Sequence, residues 1–263
     1  MPNIPFFEKM EAYQVAGLLF IIMILAYLAG NGVRRYKERA GKITEDKSIG
    51  ALEGSLLGLL ALLLSFTFSM SSSRHDRRVN IIIEEANDIG TAILRADLYP
   101  DSIRQAFRKD FEAYVEARIS FYTAKADWAE IIKSLNETQV LQTSLWERAS
   151  SLGRDKENLH RTAQMIPALN AMFDITTTRN AATLDKVPVV IYYLLLIICL
   201  TAALMVGYSG GLKPDWTMVL CFSLMISLTV YLIIDLDRPR RGVITMDMAN
   251  SQIVKLREMF NNK

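Results

Sequence analysis

Long uncharged runs set the layout of this chain. Four stretches, residues 13–33, 54–73, 187–212 and 216–234, hold no side chain charged at neutral pH. Each meets the need for about 20 apolar residues across a hydrocarbon core roughly 30 Å thick, so they predict four transmembrane helices. Between the second and third lies a polar block in which apolar residues recur in steps of three and four, as on one helix face. Val79, Ile82, Ala86, Ile89, Ile93 and Ala96 form the first such seam, with Glu84, Glu85 and Arg95 outside it. That helix stops at Tyr99-Pro100, because proline has no amide hydrogen and restricts the residue before it; Asp101 or Ser102 then caps the next. The second helix carries Ile103, Phe107, Phe111, Tyr114, Ile119 and Tyr122 to about residue 125. A third covers 127–152 with Trp128, Ile131, Leu135, Leu141, Leu145 and Trp146, and a fourth covers 155–184, interrupted at Pro167. Four amphipathic helices make a bundle.

The predicted fold is therefore all-α, with an extramembrane helical bundle inserted between the second and third of four transmembrane helices. Its parts are 13–73 (spans one and two with a basic loop), 74–186 (bundle), 187–235 (spans three and four) and 236–263 (a polar tail). The second span opens with Gly50, Gly54 and Gly58, a small-xxx-small repeat that lets helix backbones approach closely in lipid. One face of that helix is built for a neighbour.

Composition narrows the function. The 263 residues are 51% hydrophobic with a net charge of +2, which argues for a lipid bilayer as the principal partner and against nucleic acid. The two cysteines, Cys199 and Cys221, fall inside spans three and four, where they read as apolar packing residues and not as a disulfide or a metal site. Glu8 and Glu11 beside the single Lys9, with no small-residue cleavage site after the first apolar run, mark that run as retained and not as a signal peptide.

Four spans put the N-terminus, the bundle and the C-terminal tail on one side. Basic residues in short loops mark the cytoplasm. The first loop has Arg34, Arg35, Lys37, Arg39, Lys42 and Lys47; opposing it are Arg74, Arg77 and Arg78 after span two and Arg238, Arg240, Arg241, Lys255, Arg257 and Lys263 in the tail. Short loops weigh most, which places the bundle outside the cytoplasm.

Two charged clusters flank the spans: Arg74, His75, Asp76, Arg77 and Arg78 after the second, and Asp235, Asp237, Arg238, Arg240 and Arg241 after the fourth. They read as a ring of charge at a pore mouth or, more commonly, as snorkelling anchors with local pairs of Asp235 with Arg238 and Asp237 with Arg241. Within span two, Ser65, Ser69 and Ser72 recur at helical spacing beside Thr67, Ser71 and Ser73. Such hydroxyls line a wet path or bond back to their own helix, and their density favours a span facing water. Phe66 and Phe68 form a constriction or face lipid, and Glu53 marks the opposite mouth or sits at the interface.

No enzyme is expected. Gly207-Tyr208-Ser209-Gly210-Gly211 matches the nucleophile-elbow pattern, but it forms a turn between two spans and not the strand-to-helix turn that chemistry requires. His75 and His160 have neither the spacing nor the partners for a metal, so no metal or cofactor is expected. Asn136-Glu137-Thr138 fits a glycosylation sequon, a pattern frequent by chance.

Three segments carry a family resemblance: Gly58-Leu59-Leu60 through Ser65-Phe66-Thr67-Phe68-Ser69 to Arg74-His75-Asp76-Arg77-Arg78; Glu84-Glu85-Ala86-Asn87-Asp88-Ile89-Gly90-Thr91-Ala92 with Leu94-Arg95-Ala96-Asp97-Leu98; and Asp235-Leu236-Asp237-Arg238-Pro239-Arg240-Arg241-Gly242. In order along nearly the whole chain, they resemble the bestrophin-like domain family of mostly bacterial four-span membrane proteins. The resemblance implies a bacterial inner-membrane protein and a homo-oligomer, pentameric by analogy with bestrophins proper. Those are anion channels whose second span lines the pore. Carried over by position, Ser65, Phe66, Phe68, Ser69 and Ser72 would line the pore, with the arginines at its bundle-side mouth. The chain departs from them in having no acidic cluster like their calcium clasp, so calcium control is not expected, and its basic first loop conflicts with their cytosolic bundle. The permeant ion stays open: the arginines argue for anions, and Glu53, Asp235 and Asp237 for cations. The alternative is a non-conducting sensor or scaffold whose bundle binds a partner protein.

Overall fold

The structure, a computed structural model, describes residues 10–41, 47–210 and 213–261. Glu8, Lys9, Lys42, Gly211 and Lys263 lie outside these, as does the side chain of Lys47. The described residues form nine helices and no strand: α1 (Ala12–Arg39), α2 (Lys47–Ala96), α3 (Asp101–Thr123), α4 (Trp128–Leu152), α5 (Leu159–Leu184), α6 (Val189–Ser209), α7 (Trp216–Leu236), α8 (Asp247–Lys255) and α9 (Glu258–Asn261). Four stretches are long and apolar enough to cross a membrane: α1, α2 from Gly50, the stretch Leu159–Ser209 that ends in α6, and α7. The chain divides into two compact units. One takes the residues up to Arg74 with Lys186–Arg238, the other His75–Asp185 with the residues from Pro239 on, and α2 runs through both.

The first unit packs α1, α6 and α7 with the early part of α2. Leu19, Met23, Leu60, Cys199, Ala202, Ala203, Ile226 and Val230 are buried together, while Cys221 is exposed. A close approach between α1 and α6 uses glycines outside the span-two pattern. A Cβ on Gly30 of α1 would stand 2.0 Å from the Leu204 carbonyl oxygen, and one on Gly207 of α6 would stand 2.0 Å from that of Tyr27. Two helix backbones touch there, as small residues permit in lipid. The Arg34 guanidinium then donates to the carbonyl oxygens of Tyr208 (3.1 Å) and Ser209 (2.6 Å), satisfying acceptors that a helix C-terminus leaves unpaired. Lys37 reaches the Tyr208 hydroxyl at 3.2 Å. So Gly207, Tyr208 and Ser209 of the elbow-like sequence close a helix.

The second unit is a bundle centred on Ile89, Ile93, Phe107, Phe111, Tyr114, Leu145, Leu169 and Met172. Several expectations need correction. Pro167 does not interrupt α5, which runs through it. A mid-helix proline removes one amide donor, but Ala168, Leu169 and Met172 just beyond it are buried and hold the helix across the defect. Residues 155–158 form a turn ahead of α5, with the Asp155 carboxylate accepting from the Glu157 amide at 3.1 Å and from Asn158 Nδ2 at 2.8 Å. Helix α3 begins at Asp101 itself, with Pro100 in the cap position and no side-chain cap. Asp127 does cap α4, accepting from the Ala129 amide at 2.9 Å.

On α4 the tryptophans Trp128 and Trp146 are exposed, and Ser134 and Thr138 occupy the buried face instead, donating to the carbonyls of Glu130 (2.9 Å) and Ser134 (2.7 Å). Helical hydroxyls that bond their own backbone pass as apolar residues. The sequon threonine is thus buried within a helix.

The sequence predicts a polar tail, yet Ala249 and Ile253 of α8 and Leu256 after it are buried in the bundle core. Arg257 Nε and Nη2 bind both carboxylate oxygens of Glu116 at 2.6 Å, and the Tyr122 hydroxyl donates to Asp247. Nine-residue α8 has too few apolar positions for its period to stand out.

Candidate functional site

The membrane part of α2 has two faces of opposite character. Gly50, Gly54, Gly58, Ala61, Ser65, Ser69 and Ser72 follow one another in steps of four, four, three, four, four and three, which is one stripe along a helix. All are exposed except the partly exposed Ser72, and a Cβ added at any of the three glycines would meet nothing within 4 Å among the described residues. The opposite line, Glu53, Leu60, Thr67 and Ser71, turns inward, with Glu53 partly exposed and the others buried. Thr67 donates to the Leu63 carbonyl at 2.7 Å, and the buried Ser71 hydroxyl has no partner among the described residues. The expected hydroxyl stripe is therefore two sets. Thr67 and Ser71 belong to the interior, and Ser65, Ser69 and Ser72 continue the glycine face outward. Phe66 and Phe68 flank that face, 64% and 41% exposed.

The charges proposed for a mouth divide as well. Asp235 and Asp237 are both buried. The two Asp237 oxygens each lie 3.1 Å from the Val187 amide, and Tyr192 donates to Oδ2 at 3.2 Å. The carboxylate thereby anchors the entry to α6, where a negative charge suits the positive end of the helix dipole. Arg238 donates to the Met10 carbonyl. Within the bundle, the buried Arg78 donates to the carbonyl oxygens of Ala182 (3.0 Å) and Asp185 at the end of α5. Arg74 is partly exposed, and Arg77 and Arg241 are exposed. Replacing Asp237 with alanine leaves a buried amide without its charged acceptor and is expected to cost about 1.5–3 kcal/mol, read as a lower unfolding temperature of the detergent-solubilised protein.

The bundle also holds a charged cluster that the seam reading missed. The seam pattern predicts Glu85 outside it, but Glu85 is fully buried, because positions 82, 85 and 89 share the same three-four spacing as the apolar residues. Its Oε1 accepts from Arg118 Nε of α3 at 2.5 Å and its Oε2 from Arg179 Nη1 of α5 at 2.5 Å. Arg179 Nη2 donates to Asn250 Oδ1 of α8 at 2.7 Å. Beneath them the Phe121 ring carries three guanidiniums, Arg240 at 4.2 Å, Arg118 at 4.6 Å and Arg179 at 5.4 Å from its centroid. Arg240 also donates to the carbonyls of Phe121 and Lys125, both at 3.0 Å. Burial alone would raise the Glu85 carboxyl, but the charges of Arg118 and Arg179 prevail and hold it below the ordinary carboxylate value, so it is ionised. Burial, with Arg179 and Arg118 close by, lowers Arg240 to about 10. A legible signal existed: Arg118 lies four residues after Tyr114, and Arg179 lies seven after Met172, so both charges sit on apolar seams.

Four apolar helices with glycine-mediated backbone contact define a multi-pass α-helical membrane protein. The Bestrophin-like domain family matches residues 38–248, most of the chain, and the protein belongs to that family. Comparisons with curated proteins and with solved structures return no match.

Proposed function

We propose that the protein is a homo-oligomeric ion channel of the bacterial inner membrane in which the first part of α2 from each copy lines a central pore. The observation that carries this reading is the exposed stripe from Gly50 to Ser72: a face of glycine, alanine and serine is poor at filling lipid but suits close approach to sister helices and to water. Ser65, Ser69 and Ser72 supply the polar wall, and Phe66 and Phe68 the candidate constriction. Five copies would follow the bestrophins, and passive flow down a gradient is the mechanism. No enzymatic step is part of it. The bundle and tail share one side, which the basic first loop makes extracytoplasmic; a reporter fused at the tail reads that directly.

Purified protein in liposomes is expected to pass either anions or cations, and Ser69→Leu to reduce that flux at least about tenfold by placing a bulky apolar group on the wall. Silence in both ion classes from a folded oligomer rejects the channel. A second reading, a scaffold that binds a partner protein, draws on the exposed Trp128, Ile132, Val140 and Trp146 of α4. It predicts a monomer or dimer with no flux.

A further inference from the structure

The Glu85 cluster is short of negative charge and of acceptors. Three guanidiniums share one ring, only Arg118 and Arg179 reach the one carboxylate, and among the described residues no carboxylate pairs with Arg240. Arg118 is 0% exposed and bonds Glu85 through Nε alone; its Nη1 and Nη2 are buried and have no hydrogen-bond partner. Contact with Phe121 does not repair this. A ring attracts the face of a guanidinium, whereas the N–H bonds lie in the guanidinium plane and still need acceptors. Buried donors left unpaired, and buried charge left uncompensated, are both costly enough that native proteins rarely keep them. A water molecule would satisfy the donors and leave the excess charge in place. An anion does both.

We propose that this cluster is a binding site for one small monovalent inorganic anion, held end-on by the terminal nitrogens of Arg118 and attracted further by Arg240. Both guanidiniums lie within 4.6 Å of the same ring centroid, so less than about 10 Å separates them and the charge of Arg240 adds to the attraction. The partly exposed Arg240 forms the side of the cluster nearest solvent. Size and charge follow from the surroundings. Phe121, Tyr114, Glu85 and Arg179 are buried around the site, which excludes a large ligand, and the ionised Glu85 disfavours a second full negative charge. The anion joins α3 to the segment leading to α8 through Arg118 and Arg240, and Glu85 and Arg179 extend that network to α2 and α5, so its occupancy adds to the stability of the bundle. The site lies wholly within the second unit and stands whether or not α2 conducts.

The test uses the full-length protein in detergent at constant pH and ionic strength, with sodium chloride, nitrate or sulfate exchanged for sodium gluconate. Ligand that binds only the folded state raises its stability with the logarithm of concentration, so the unfolding temperature is expected to climb about 4 °C per tenfold increase in chloride or nitrate once the site fills. Sulfate stabilises folded proteins generally by exclusion from their surface, so its response is expected to be the same with and without the Arg118 terminal nitrogens. Arg118→Lys keeps a cation for Glu85 but removes the paired terminal nitrogens, and its response to chloride or nitrate should be flat. Should that variant fail to fold, Arg240→Gln is expected to shallow the slope. Equal curves in chloride, nitrate and gluconate overturn the site, as does a sulfate response that the variant abolishes or a chloride slope that survives unchanged in the variant that folds.

Discussion

Replacing Glu85 with alanine is expected to cost the bundle about 3–5 kcal/mol, the usual result of removing one partner of a buried ion pair and leaving the other uncompensated. Here two guanidiniums, those of Arg118 and Arg179, lose their shared carboxylate, and both are buried, with 0% and 7% of their side chains exposed. Total stabilities of about 5–15 kcal/mol make such a loss enough to leave a substantial unfolded fraction. Thermal unfolding followed by helix circular dichroism, with protease cleavage within 75–185, reads it. By contrast, alanine at Glu116, whose pair with Arg257 is half exposed, should shift stability by no more than about 1 kcal/mol. If the two variants behave alike, the buried cluster is not a keystone. The charge itself has a pH signature. Glu85 titrates in the folded protein below its unfolded value of about 4.3. Its contribution is therefore complete above that value and is lost as pH falls through the folded one. Glu85→Gln should lack this component of acid destabilisation.

Alanine at Gly207 is expected to cost about 3 kcal/mol, the upper range for overpacking, because the added carbon meets the Tyr27 carbonyl and neighbouring backbone atoms and not a side chain that could swing aside. Relief comes only by separating α1 from α6, which also pulls Arg34 from the carbonyls of Tyr208 and Ser209. Gly30 faces the same constraint from the Leu204 carbonyl. Unfolding in graded SDS should therefore shift strongly for Gly207→Ala and Gly30→Ala. Gly54→Ala serves as the internal control: nothing lies within 4 Å of its added carbon, and alanine is the better helix former, so the fold of the single chain should be unchanged or firmer. If Gly54→Ala unfolds as easily as Gly207→Ala, the assigned backbone contact is wrong.

The two predictions separate what periodicity reveals from what it hides. Uncharged runs of bilayer length and three-four seams such as Ile82, Ala86, Ile89 and Ile93 are properties of short segments, and they located the helices and the all-α class without reference to anything distant. The same logic misassigned Glu85, since a charged residue on a seam looks like an outer-face residue until a cation from another helix is seen against it. Pro167 and the tryptophans of α4 show the converse. Local preference named a break and two core residues, and burial of Leu169, Met172, Ser134 and Thr138 decided otherwise. Glycines behave likewise: Gly50, Gly54 and Gly58 repeat the spacing of a packing motif, but the backbones that meet within the chain are at Gly30 and Gly207, each marked only by a single alanine four residues earlier, Ala26 and Ala203.

By itself the sequence determined the helical class, the four spans, the family and the presence of a small, hydroxylated face on the second span, because each follows from the order of side chains along one helix. Only the tertiary structure decided that this face points away from the chain's own interior, that Asp237 anchors α6, and that Glu85 joins arginines from α3 and α5 with the tail folded against them. Those outcomes depend on which residues meet across helices far apart in sequence, and charges or glycines gain their energetic meaning from the partner they meet, which no local pattern contains.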